Sequence, residues 1–212
     1  MARSTRTCLA VLASSVLLAA CAGDSTAPAP SAPPSQSASS PFVPSAAARS
    51  LVGISDGTYT FTVDPRQNQA LVLGANLLSL PANAICSVAT SSYGADHWNE
   101  SCAPETKPLV ITAVVRNARS AHPSIDFYPA MRFSPDKNVS LYFYIPVGER
   151  MKNHDMVMQY CNDARVCVDE SLADPSLRTT TDRSNRVVYR RIKHFSGYII
   201  ANAVDTVAGL LF

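Results

Sequence analysis

Val139-Ser140-Leu141-Tyr142-Phe143-Tyr144-Ile145 decides how this chain is built. Val139, Leu141, Phe143 and Ile145 share one face of an extended segment, and Ser140, Tyr142 and Tyr144 take the other. Successive side chains of a strand point to opposite faces, so a repeat of two marks a strand with one side in a core. The same repeat recurs on both sides of this stretch. Upstream, beyond the turn Ser134-Pro135-Asp136-Lys137-Asn138, Phe127, Met131 and Phe133 alternate with Tyr128, Ala130 and Arg132. Thr58-Tyr59-Thr60-Phe61-Thr62-Val63 alternates and stops at Asp64-Pro65, and Leu109 to Val115 is β-branched and apolar. Downstream, Asp155 to Cys161 and Val166 to Glu170 predict a hairpin, and Arg186 to Ile192 and Phe195 to Ala203 predict later strands. Helix is scarce, with short turns expected at Ala46 to Ser50 and Asp205 to Leu211. The apolar end, Val207 to Phe212, reads as a strand or cover segment. Many short strands separated by polar, Pro-rich turns predict an all-β fold, an antiparallel β-sandwich over residues 51–212.

The segment before residue 51 is of a different kind. Arg3 and Arg6 precede an apolar run from Cys8 to Ala20 that is too short to span a bilayer, which takes about 20 residues. A charged start, an apolar stretch and small residues at its end are the parts of a secretory signal. Leu18-Ala19-Ala20-Cys21 resembles the lipobox of bacterial lipoproteins. In that family the cysteine sulfur is alkylated by a diacylglyceryl group, the chain is cut before it, and the new amino terminus is acylated. The resemblance implies a signal peptide over 1–20, lipidation at Cys21, and anchorage without a transmembrane helix, because two or more acyl chains hold stably where one does not. From 21 to 50 the chain is rich in Ala, Pro and Ser and almost free of charge. It carries too little large apolar surface to offset its ordering entropy and reads as a disordered tether.

Charge excludes some partners. Eighteen basic residues face sixteen acidic ones. Loss of residues 1–20 removes Arg3 and Arg6 and no acid, which leaves the two signs in balance. No basic field is present to attract nucleic acid. Six cysteines are present. With Cys8 in the signal and Cys21 lipidated, Cys86, Cys102, Cys161 and Cys167 remain. An even number in an exported chain reads as disulfides. Three pairings are open, and sequence neighbours are favoured: Cys86 with Cys102, and Cys161 with Cys167. The first closes a loop whose entropy is worth roughly 3 kcal/mol. The spacings lack paired C-x-x-C motifs and a nearby histidine pair, so no metal and no cofactor is expected.

Three islands resemble a known domain family. Gly74-Ala75-Asn76-Leu77-Leu78-Ser79-Leu80-Pro81-Ala82-Asn83-Ala84-Ile85 resembles the start of ZU5 domains. Pro129 to Pro135 with Val139-Ser140-Leu141 resembles their later strand pair, and His194-Phe195-Ser196-Gly197-Tyr198 their closing strand. The segment Ser87 to Lys107 and the Cys161–Cys167 hairpin depart from the family pattern. The resemblance implies a β-sandwich and one reaction, since some ZU5-containing proteins cut themselves between Phe and Ser of a His-Phe-Ser tripeptide. The matching residues are His194, Phe195 and Ser196. Their chemistry follows from the side chains. Ser196 Oγ reaches the carbonyl carbon of Phe195 through a five-membered ring, and a histidine titrating near 6.5 suits the removal of its proton. Residues two apart on a strand share a face, which puts His194 beside Ser196 and turns Phe195 into the core. The competing reading is a plain structural strand with Phe inward and His and Ser outward.

Other constellations are weaker. His97 and Trp98 lie in the Cys86–Cys102 loop with Tyr93, Asp96 and Glu100. They suggest a surface that binds a sugar or an envelope protein, or else a Trp capping the sandwich edge. Asp163, Asp169, Glu170 and Asp174 lack the order of a calcium loop and read as solvated turns. His122 and His154 stand alone. The chain is expected to be a lipid-anchored lipoprotein of the bacterial cell envelope, with the outer membrane favoured because Ala22 follows Cys21. It would display a ZU5-like sandwich for binding or scaffolding, its partners the membrane and an unknown envelope protein or glycan. The alternative is a self-processing module that cuts between Phe195 and Ser196. No turnover enzyme is expected.

Overall fold

The computed structural model describes residues 53–146 and 156–202. The signal-like segment, Cys21, the tether, the short turns expected near 46–50 and 205–211, and His154 lie outside the described residues. Among the described residues the fold is an all-β sandwich of two antiparallel sheets packed together. The first sheet carries β1 (Gly57–Val63), β4 (Leu109–Arg116), β5 (Ser124–Tyr128), β11 (Gly197–Asn202), β7 (Met156–Cys161) and β8 (Cys167–Val168), side by side in that order. The second carries β2 (Gln69–Leu73), β3 (Asn76–Leu80), β6 (Ser140–Tyr144), β10 (Val187–Arg191) and β9 (Thr180–Asp182).

The alternation that predicts the sandwich also builds its core. Val139, Leu141, Phe143 and Ile145 are all fully buried, and Ile111, Ala113 and Val115 of β4 meet them from the opposite sheet in one cluster. Each large side chain so buried stabilises the fold by roughly 1.5–3 kcal/mol. The outer face of β6 differs from the simple reading. Tyr142 is buried rather than solvated, packed with Leu77 and Val187 and stacked on Tyr189 at 5.2 Å. Stacking of tyrosines on neighbouring strands covers the Tyr142 ring.

Two turns set the strands around the site. Gly74 closes β2 onto β3 with φ +65, where a Cβ would stand 2.7 Å from the Tyr59 hydroxyl, so only glycine fits. The second follows Tyr128. Here the expected continuous strand through Phe133 is not formed. Pro129 has no N–H to donate, β5 ends at Tyr128, and pairing resumes only as isolated bridges, Arg132 with His194 and Ile85 with Phe133. Met131 and Phe133 still enter the core. Arg132, expected on an outward face, is 4 % exposed. It lies under the segment 87–101, donating from Nε to Ser92 O at 2.8 Å and from Nη1 to Glu100 O at 2.6 Å.

Both expected disulfides are formed, Cys86–Cys102 and Cys161–Cys167. The second pins β7 to β8 at the register where the two cysteines face each other. Glu170, read as the end of that hairpin, instead starts a single 3-10 turn, Glu170–Leu172, and is buried. Strands β2 and β9 carry no strong strand signal in the sequence. Both sit at sheet edges, where short strands suffice.

Candidate active site

The tripeptide His194-Phe195-Ser196 leads directly into β11, which lies between β5 and β7 in the first sheet. Backbone bonds hold it on both sides of the Phe195–Ser196 peptide. Phe195 N–H donates to Met131 O at 2.7 Å, and Phe127 N–H donates to Ser196 O at 3.1 Å. The side chains split as expected. Phe195 is fully buried, stacked on Phe127 with centroids 4.7 Å apart and edge-on to Phe133 at 4.8 Å. His194 and Ser196 turn to the opposite face and meet there, with Ser196 Oγ 2.8 Å from His194 Nδ1.

His194 does not face solvent. Its exposure is 0 %, and the burial comes from the segment 87–101 and from β7. Trp98 lies nearly flat on the imidazole, centroids 3.8 Å apart and planes 19° from parallel, while Tyr160 packs edge-on at 4.8 Å. Trp98, half-buried, is therefore part of the histidine's wall. His97 stays near the surface and pairs with Glu100 at 2.9 Å. The indole N–H of Trp98 is buried without a hydrogen-bond partner among the described residues.

The other ring nitrogen of His194 fixes its tautomer. Nε2 lies 3.0 Å from Glu170 Oε1, and Glu170 Oε2 takes a hydrogen bond from Arg190 Nη2. Arg190 is itself buried, with Asp169 Oδ1 3.9 Å from Nη1 and the Tyr198 ring 5.5 Å beneath the guanidinium. Burial opposes ionisation of Glu170. The hydrogen bond from His194 and the positive charge of Arg190 outweigh it and hold the carboxyl below its ordinary value. A carboxylate only accepts, so Nε2 carries the proton and Nδ1 is left as an acceptor for the Ser196 hydroxyl. Burial likewise pushes the His194 pKa down, against the pull of Glu170, and keeps the imidazole neutral.

The residues around the Phe195–Ser196 peptide complete the geometry. Tyr93 Oη donates to Phe195 O at 2.8 Å, and Tyr198 Oη donates to His194 O at 2.7 Å. Ser196 is half-buried and opens onto a cleft of about 390 Å³ lined by Tyr93, Asp126, Tyr160, Arg165 and Gly197. Gly197 is required there for space. A Cβ would stand 2.7 Å from Asp126 Oδ1 and 3.1 Å from Cys161 O, and Asp126 is held in place by Arg116 and Arg165. A serine hydroxyl on a neutral imidazole, backed by a buried carboxylate and with a donor on the adjacent carbonyl, is the arrangement that makes a nucleophile.

The sequence places His194, Phe195 and Ser196 correctly relative to one another and does not reveal the residues that surround them. Glu170 lies 24 positions from His194, and by sequence alone it reads, with Asp163, Asp169 and Asp174, as part of a solvated turn. Instead Glu170 joins His194 and Arg190, Asp169 stands near Arg190, and Asp174 pairs with the buried Lys193. The one available hint is the company of Asp169 and Glu170 with Arg190 in a chain that is only 16% charged. Buried ions need partners, but sequence does not say which. Comparison of the chain with protein-family models, with curated proteins and with solved structures finds no match.

Proposed function

We propose that this protein is a ZU5-like, lipid-anchored envelope module that cuts its own backbone once, between Phe195 and Ser196, and keeps both pieces together. The observation that carries the reading is the Ser196 Oγ to His194 Nδ1 contact of 2.8 Å, backed through Nε2 by buried Glu170. Ser196 Oγ adds to the Phe195 carbonyl carbon and gives its proton to His194 Nδ1. The carbon–nitrogen bond then breaks, and His194 returns that proton to the departing Ser196 nitrogen. An ester now joins Phe195 to Ser196 Oγ. One water hydrolyses it, leaving a carboxylate on Phe195 and a free amine and hydroxyl on Ser196. General-base assistance of this kind is worth on the order of 10²–10⁴ in rate.

The strand order supports retention of the product. β11 pairs with β5 over Gly197 to Ile199 and with β7 from Gly197 to Asn202, so the new end begins one residue before a strand held on both sides. The event is a single maturation step and not turnover catalysis. Two disulfides support export to an oxidising compartment, in keeping with lipidation at Cys21 and display of the sandwich from the envelope.

Intact-mass analysis of the denatured protein tests the proposal. The expected result is a separate peptide beginning at Ser196, co-purifying with the rest under native conditions and absent from Ser196→Ala. A single uncut mass for the folded wild-type chain would refute it.

A further inference from the structure

The segment Ser87 to Lys107, which departs from the ZU5 pattern, supplies two walls of the site through Tyr93 and Trp98. Tyr93 leaves 43 % of its surface exposed but turns its hydroxyl inward onto Phe195 O. That oxygen gains negative charge when Ser196 Oγ adds to the carbonyl carbon, and a donor already in place stabilises the charge without reorganisation. Trp98, from the same segment, covers the imidazole. The segment is fastened from below by Arg132, and Lys193 Nζ donates to Asn99 Oδ1. Cys86–Cys102 closes it covalently across a separation of 16 residues.

We propose that Tyr93 is a catalytic residue for the Phe195–Ser196 cleavage, and that closure of the Cys86–Cys102 disulfide sets it in place, so that cutting waits for oxidation. The proposal rests on the self-cleavage reading above. Cys86 and Cys102 lose two protons and two electrons to a disulfide-bearing oxidant, which is reduced to its dithiol, and one sulfur–sulfur bond forms. The reduced segment has no covalent closure and samples states in which Tyr93 Oη leaves Phe195 O. Oxidation restricts it to the closed arrangement. Burial raises the Tyr93 pKa to about 12, with nearby Tyr160 adding to the effect, so the phenol keeps the proton it must donate at any physiological pH. A chain still reduced before export would then remain whole, and one oxidised after export would cut.

The test is refolding of the full chain, denatured and reduced at the start, into buffer with oxidised glutathione, followed by intact mass over time. Three proteins are compared: wild type, Tyr93→Phe, and the double variant Cys86→Ser/Cys102→Ser. Peptide mapping verifies the disulfides, and near-ultraviolet circular dichroism verifies folding. Tyr93→Phe keeps the ring and the disulfide and loses only the donor. Its cleavage is expected to slow by roughly 10²–10³-fold, the usual effect of one oxyanion donor. The double variant keeps Tyr93 and Cys161–Cys167 and is expected to slow by up to roughly 100-fold, the loop-closure entropy of a stapled segment this long expressed as a population. Tyr93→Phe cutting within threefold of a cutting wild type overturns the catalytic role. A folded double variant cutting at the wild-type rate overturns the oxidative control, and if that variant does not fold, Cys161→Ser/Cys167→Ser refolded with and without reductant, in which only Cys86–Cys102 can close, decides the point by the same criterion. A wild type that folds with both disulfides and never cuts overturns the self-cleavage reading itself.

Discussion

Replacing Glu170 by glutamine should damage stability and chemistry together, for one electrostatic reason. Glu170 Oε1 accepts from His194 Nε2 and Oε2 accepts from Arg190 Nη2, with both partners buried. Glutamine has one accepting oxygen and one donating amide, so either orientation sets a donor against a donor. If the amide faces His194, the imidazole can escape only by moving its proton to Nδ1, and Ser196 then loses its acceptor. If the amide faces Arg190, a buried guanidinium keeps, among the described residues, only Asp169 as an acidic neighbour, at 3.9 Å. Removing one partner of a buried pair costs about 3–5 kcal/mol, and the remaining Asp169 places this case near the lower end, at about 3 kcal/mol. For a domain of roughly 150 residues that is a fall in Tm of about 6–12 °C. The stability arm is measured by calorimetry and urea unfolding at pH 7.5 in a Ser196→Ala background, so that cutting does not change the molecule under study. The kinetic arm keeps Ser196 and follows refolding by mass, where a loss on the order of 10²–10⁴ is expected. A stability change under 1 kcal/mol, together with cutting at the wild-type rate, would show that neither Arg190 nor His194 depends on the Glu170 charge.

The remaining expectations follow from the same residues and from Cys21. Because burial holds the His194 pKa below 6.5, the neutral base persists as pH falls through 6.5. The cleavage rate should be flat from pH 8 to 6.5 and decline only below that, whereas a rate already halved at pH 6.5 or above contradicts the assignment. The stability linked to His194 has the matching sign: a folded-state pKa below the unfolded one gives stability that is fully present above 6.5 and lost as pH falls toward the folded value. Metabolic labelling with a fatty-acid probe should mark the wild-type protein and not Cys21→Ala, and equal labelling of both would remove the lipid anchor from the proposal.

The fold was legible because its signal is local. The alternation of Leu141 and Phe143 with Ser140 and Tyr144 needs no knowledge of the partner strand, and it places two fully buried core side chains correctly. Where that reading failed, the cause was a contact from far along the chain. Arg132 alternates as an outward residue and is buried because Ser92 and Glu100 arrive over it with two carbonyl acceptors. Tyr142 fails in the same way through Leu77 and Val187. Strand alternation tells two faces apart, but it does not say whether the second face will be covered.

The candidate site divides along the same line. Ser196 meets His194 because residues two apart share a face, a relation printed in the sequence. What the proposed cleavage adds to that pair is the burial of the imidazole under Trp98, its tautomer set by Glu170, and the Tyr93 donor on Phe195 O. These three arrive from two separate segments, one closed by Cys86–Cys102 and one following the Cys161–Cys167 hairpin. Enclosing Arg190, Glu170 and His194 costs desolvation that a well-packed apolar cluster of the same volume would avoid. Arg190 Nε and Nη1 are buried without a hydrogen-bond partner among the described residues, which adds to that cost. Buried charge clusters of this kind serve conformational specificity in some folds and chemistry in others. Of the observations behind the proposed cleavage, the buried charge cluster behind His194 carries more than the tripeptide itself, which any sheet could carry by chance.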